Sequence, residues 1–212
     1  MRNRKRLTAD QGRRRHRGQA LVEFALVIPV FLVVFVAITE FSFLFVSYSS
    51  IGFASHDAVQ IAATLGDTAG TDAAVLQRVD QDVAAPADPT KIASVDIYWV
   101  DTSYPDARPV SGAENIWNYD GGNHPFTLPD GTVIQLPFFA GSSGYPVATR
   151  CNVNQGVGCL PTNGIAHSTI DTIGVKIRYQ YVWITPFPGL IGGSGSGPLL
   201  TSTNIMRLEP VL

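Results

Sequence analysis

Arg13-Arg14-Arg15-His16-Arg17-Gly18-Gln19-Ala20-Leu21-Val22-Glu23-Phe24 sets a basic cluster, a small residue and a lone acid at the head of a long apolar stretch. A secretion signal runs in the other order, with a short apolar core ahead of a small-residue cleavage point. Here Gly18 precedes the apolar core, so a cut after it leaves the hydrophobic segment in the mature chain. From Phe24 to Thr39 there is no charged residue, and after Glu40 the run Phe41-Ser42-Phe43-Leu44-Phe45-Val46 prolongs the apolar character. A helix over 24–46 rises about 1.5 Å per residue to roughly 35 Å, enough to cross a hydrocarbon core of about 30 Å. A core helix of a soluble protein seldom stays apolar around its whole circumference for so long. Pro29 removes one backbone donor and predicts a kink or loosened turn rather than a helix end.

The net charge of -2 hides an asymmetry. Ahead of Gly18, eight basic side chains oppose Asp10 alone, so the head carries +7 and the remainder -9. Positive charge is retained on the cytoplasmic side of a membrane, which orients residues 1–18 inside and the rest outside. Arg-rich runs also mark nucleic-acid patches. A membrane stretch beginning directly after this one explains its charges without a nucleic-acid partner.

Arg17-Gly18-Gln19-Ala20-Leu21-Val22-Glu23-Phe24-Ala25-Leu26-Val27-Ile28-Pro29 resembles the opening of TadE-like proteins, pseudopilins of the Flp (Tad) pilus system. The likeness covers roughly residues 13–64. It implies cleavage by a prepilin peptidase between Gly18 and Gln19, with Glu23 fifth and the aromatic Phe24 sixth in the mature chain. It further implies that Glu23 meets the free amine of Gln19 on the same or a neighbouring subunit during assembly, an attraction that is strong at low dielectric. The bland reading of Glu23 is an interfacial residue at headgroup level. Glu40 either pairs with another subunit inside the membrane or sits near the outer interface. Where the family usually shows an Ala-rich helix with an Arg, this chain has Gln60 and no nearby Arg.

Beyond Val46, the apolar positions Ile51, Ala54, Ala58, Ile61 and Ala62 recur at helical spacing, which extends the anchor as an amphipathic stalk to about Leu65, with Gly66 as its stop. A second helix starts at Thr71 or Asp72, either of which can cap it, and runs to about Ala85 before Pro86 and Pro89. Strands are predicted over Lys91–Val100, Thr132–Leu136, Thr172–Ile184 and Thr201–Leu208. In the third of these, Ile173, Val175, Ile177, Tyr179, Tyr181 and Trp183 alternate with more polar neighbours, so one face packs. The expected fold is α+β: a long transmembrane and stalk helix, a short helix and a small antiparallel sheet with long loops. The domains read as a basic leader (1–18), the transmembrane and stalk helix (19–65) and an extracytoplasmic domain (66–212).

The stretches Ser103–Gly131, Pro137–Gly164 and Thr185–Pro198 read as loops, rich in Gly, Pro, Asn and Ser. Gly192-Gly193-Ser194-Gly195-Ser196-Gly197 reads as a flexible tip or linker and carries no phosphate-loop pattern. Trp117, Tyr119, Phe126, Phe138, Phe139 and Tyr145 form either an adhesive surface or, the favoured reading, anchors of the loops onto the sheet. Cys151 and Cys159, the only cysteines, read as a disulfide in an oxidising outer compartment. Two cysteines without a close histidine do not make a zinc site. His56, His124 and His167 read as scattered surface residues, and the acids Asp96, Asp101, Asp106, Glu114 and Asp120 as solvated. Gly141-Ser142-Ser143-Gly144-Tyr145 lacks the spacing of a nucleophile elbow. No catalytic residue, cofactor, metal or small-molecule substrate is expected, and no enzyme activity.

Two functions follow from different premises. One is a minor pseudopilin at the cell membrane, a single-pass protein with cytoplasmic N-terminus that acts in assembly, priming or the tip of a Flp/Tad pilus. Its partners would be the peptidase, other pilins and pseudopilins, the assembly platform and the membrane. The other is an uncleaved membrane-anchored binding or sensor module.

Overall fold

The structure, a computed structural model, describes residues 5–153, 158–186, 189 and 196–210, with side chains from Gln19 onward. One helix, α1, runs from Lys5 to Leu65 and continues through Pro29. A second, α2, spans Thr71–Asp82. Five strands follow: β1 (Ile92–Val100), β2 (Pro109–Thr127), β3 (Val133–Ser143), β4 (Thr172–Val182) and β5 (Ser196–Arg207). They form one antiparallel sheet in the order β3-β2-β1-β4-β5. The chain is thus α+β. It divides into two compact units: residues 1–43 with 183–195, and residues 44–182 with 196–212.

The larger unit has its core between the C-terminal part of α1, α2 and one face of the sheet. Ile51, Ala54, Ala58, Val59, Ala62 and Ala63 are buried on α1, the helical spacing expected for the stalk. Ser55 and Ser202 place their Oγ atoms 2.7 Å apart, and Asn204 Nδ2 donates to Ser55 Oγ at 2.7 Å. Ser202 and Asn204 lie opposite Ile177 and Val175, so α1 meets the apolar face of β4 predicted by alternation. Gly66 ends the helix at φ 55°, its N–H bonded to Ala62 O at 3.0 Å.

Several details differ from the sequence reading. Neither Thr71 nor Asp72 caps α2; Gly70 holds the cap position at φ 87°. A Cβ there would lie 2.6 Å from Thr127 O, so the close approach of the β2 end requires glycine. The stretch Ser103–Gly131 is not a loop but mostly β2, the longest strand. Its polar and glycine-rich sequence hides an alternation in which Ala113 and Asn115 face inward, while the pairing with β3 shifts between Tyr119 and His124, leaving Gly121 and Gly122 outside the register. Likewise β3 runs past Leu136 to Ser143. The Gly192–Gly195 part of the expected flexible tip lies outside the described residues.

A polar network fastens the far side of this unit. The Asp72 carboxylate pairs with the buried Arg150 guanidinium and accepts from Asn115 Nδ2 at 2.8 Å. Asn115 also exchanges two bonds of 2.8 Å with the Tyr145 backbone. Asp171 Oδ2 accepts from Tyr145 Oη at 2.7 Å and from Cys151 N at 3.0 Å, while Oδ1 pairs with His167 Nδ1 at 2.6 Å. His167 stacks on Trp99, with ring centroids 4.3 Å apart. It is therefore a core residue, not a surface one. Asp96 is equally buried, held by Ser94 and by Arg178 at 2.8 Å.

Removing one partner from such a network leaves buried donors without acceptors. Asp171→Ala is expected to lower unfolding stability by about 3–5 kcal/mol in chemical denaturation, whereas a loss under about 1 kcal/mol contradicts the network. Burial raises the Tyr145 phenol well above its usual 10.0, helped by Asp171, and raises Tyr98 to about 12. Phenols raised on folding contribute stability that is whole below pH 10.0 and lost as pH rises from there through the folded values. An alkaline titration followed by phenolate absorbance should therefore leave Tyr98 and Tyr145 protonated after exposed tyrosines have ionised. Ionisation of all seven tyrosines in one step near pH 10.0 in the folded protein contradicts this.

Candidate functional site: the apolar helix and its carboxylates

From Gln19 to Phe35 every residue of α1 is exposed, including Leu21, Phe24, Leu26 and Phe31 at 64–70%. Its most apolar 18-residue window has a mean hydropathy of 2.9, with none of it buried. Water opposes such a surface by roughly 1.5–3 kcal/mol for each large apolar side chain left uncovered. Lipid removes that cost, and this helix is long and apolar enough to cross a bilayer.

The hydroxyls inside the stretch are satisfied within the helix, as lipid demands. Thr39 Oγ1 donates to Phe35 O at 2.9 Å and Ser42 Oγ to Ile38 O at 2.8 Å. Glu23 sits near the N-terminal end of the apolar run with Phe24 exposed beside it, and Gln19 Nε2 donates to Glu23 Oε1 at 3.1 Å. Residues 19 and 23 thus share a face one turn apart. The Gly18–Gln19 bond lies inside α1.

Glu40 is held differently, 1% exposed, its Oε1 accepting from Ile184 N at 3.1 Å and Oε2 from Thr185 N at 2.7 Å. The sequence did not point to this pairing, because both donors are backbone amides far along the chain. Cys151 and Cys159 are joined in a disulfide with Cα atoms 5.4 Å apart. Of the aromatics singled out in the sequence, Trp117 meets Phe126 within β2 at 5.4 Å and Tyr119 of β2 meets Phe138 of β3 at 5.5 Å, while Tyr145 is buried and Phe139 is exposed. Five of the six thus belong to strands of the sheet rather than to loops anchored on it.

Residues 18–60 match the family model of TadE-like proteins. The TadE-like segment therefore begins at the residue after which cleavage is expected and covers the whole exposed apolar run. The match supports a pilus-system context and a membrane-associated, single-pass chain. Neither a curated protein nor a solved structure matches the chain.

One chain of groups has the order of a hydrolytic triad: Thr162 Oγ1 lies 3.1 Å from His167 Nε2, whose Nδ1 meets Asp171. Thr162 is fully buried and its hydroxyl donates to Thr149 Oγ1 at 2.8 Å, so no substrate carbonyl can reach it. The arrangement locks a loop. Among the described residues no three His, Cys, Asp or Glu side chains converge as a metal site.

A cationic residue at the centre of a spanning helix costs about 2.5–3.5 kcal/mol on insertion scales. The double change Val30→Arg with Val34→Arg is therefore expected to abolish insertion of the TadE-like segment in a translocon reporter assay. Undiminished insertion contradicts a spanning role.

Proposed function

We propose that this chain is a minor pseudopilin of a Flp/Tad pilus, released from its leader by a prepilin peptidase and acting by packing rather than by chemistry. The observation that carries this reading is the coincidence at Gly18 of the TadE-like match, the end of the basic head and the onset of the exposed apolar helix. Cleavage there frees the Gln19 amine one helical turn from Glu23. In a low-dielectric bundle of such helices, Glu23 attracts that amine on its own or a neighbouring subunit and sets the register of addition. Phe24 and the side chains beyond it supply the apolar contact with other pilins and the assembly platform. The basic head stays cytoplasmic and the sheet domain lies outside. A domain of this size repeats poorly along a thin filament, which favours a priming or tip position and a part in surface attachment.

The test is the N-terminal sequence and mass of the chain purified from its native membrane, with and without the peptidase. A peptidase-dependent start at Gln19 is expected, and a persistent start near Met1 overturns the reading in favour of an uncleaved anchored module. Glu23→Gln is expected to be cut normally yet to be lost from the sheared pilus fraction.

A further inference from the structure

The segment that joins β4 to β5 belongs to the same compact unit as the apolar helix. It leaves the sheet through Trp183-Ile184-Thr185-Pro186 and presents two consecutive amides to Glu40, one to each carboxylate oxygen. Glu40 lies about 25 Å along α1 from Glu23, inside an apolar stretch that must cover about 30 Å of hydrocarbon. On the same helix Ile38 and Phe41 are 61% and 60% exposed, so the surroundings at this depth are apolar.

A carboxylate and unpaired backbone amides are each costly at that depth, and non-helical backbone is tolerated there only when its polar groups are satisfied by protein. The two bonds satisfy both sets at once. What they leave facing outward is apolar, since Ile184 is 53% exposed. We infer that the segment around Ile184 and Thr185 is a second membrane-contacting element, held by Glu40 at the outer edge of the hydrocarbon layer with Ile184 directed into lipid. It rests on α1 crossing the membrane. Glu40 is then a clamp between two parts of one chain, and the bilayer is the partner of the surface the clamp presents.

The native cysteines are bonded to each other, so Ile184→Cys introduces a single reactive thiol for an environment-sensitive fluorophore. The full chain is reconstituted into phosphatidylcholine and phosphatidylglycerol vesicles containing lipids with nitroxides placed near the headgroup and along the acyl chain. Labels at Phe31→Cys and Phe41→Cys report the span. The expected result is that the label at position 184 is quenched as strongly as that at 41, and that Glu40→Ala abolishes quenching at 184 while leaving it at 31. Quenching at 31 and 41 with a water-exposed label at 184 overturns the inference and leaves the span intact. Unchanged quenching at 184 in Glu40→Ala overturns the clamp. Quenching at none of the three positions overturns the span itself, and the inference with it.

Discussion

The apolar surface of α1 between Gln19 and about Val46 is the constraint on which the remaining features depend. No part of its most apolar window is covered by the chain itself. A lipid or protein environment must therefore supply the burial, and the hydroxyls and carboxylates within the stretch are arranged accordingly. Thr39 and Ser42 turn their hydroxyls back onto the helix, and Glu40 is saturated by amides from another segment. Glu23, at the N-terminal end, keeps a carboxylate whose neighbour in the helix is the residue that cleavage would make the N-terminus.

Further along the same helix the requirement changes from an apolar circumference to a single apolar face. Small residues, Ala54, Ala58, Ala62 and Ala63, let α1 approach the sheet closely, with Ser55 and the amide of Asn204 fixing the contact. Stability of this unit then rests on two kinds of interaction. One is the burial of Val175, Ile177 and their neighbours, and the other is the network centred on Asp72, Asn115 and Asp171, which joins α2, β2 and the disulfide-bearing segment. Such a network is costly to leave half made, which favours one arrangement of otherwise irregular chain.

The helix and the β4 strand were legible because periodicity carries them: an apolar run of spanning length, then strict alternation from Ile173 to Tyr181. The family match covers residues 18–60, a stretch that holds both the expected cleavage motif and that run. What was not legible was built by long-range pairing. β2 looks like a loop because Gly112, Gly121, Gly122 and Pro125 punctuate it, yet its neighbours β1 and β3 impose extended structure and absorb Gly121 and Gly122 in a register shift. His167 and Asp96 carry no local sign of burial: Asp171 lies four residues from His167, but Trp99, which stacks on His167, and Arg178, which pairs with Asp96, are brought in only by the fold. Glu40 was visible as an anomaly in an apolar helix, but its backbone partners leave no mark in side-chain pattern.

Alkaline carbonate extraction of native membranes tests most directly that the exposed helix is a lipid-embedded element. The account predicts that the full-length or processed chain stays in the membrane pellet, because its anchorage rests on apolar burial that high pH does not disrupt. Release into the supernatant would contradict it and would mean that the apolar face of α1 is covered by protein instead.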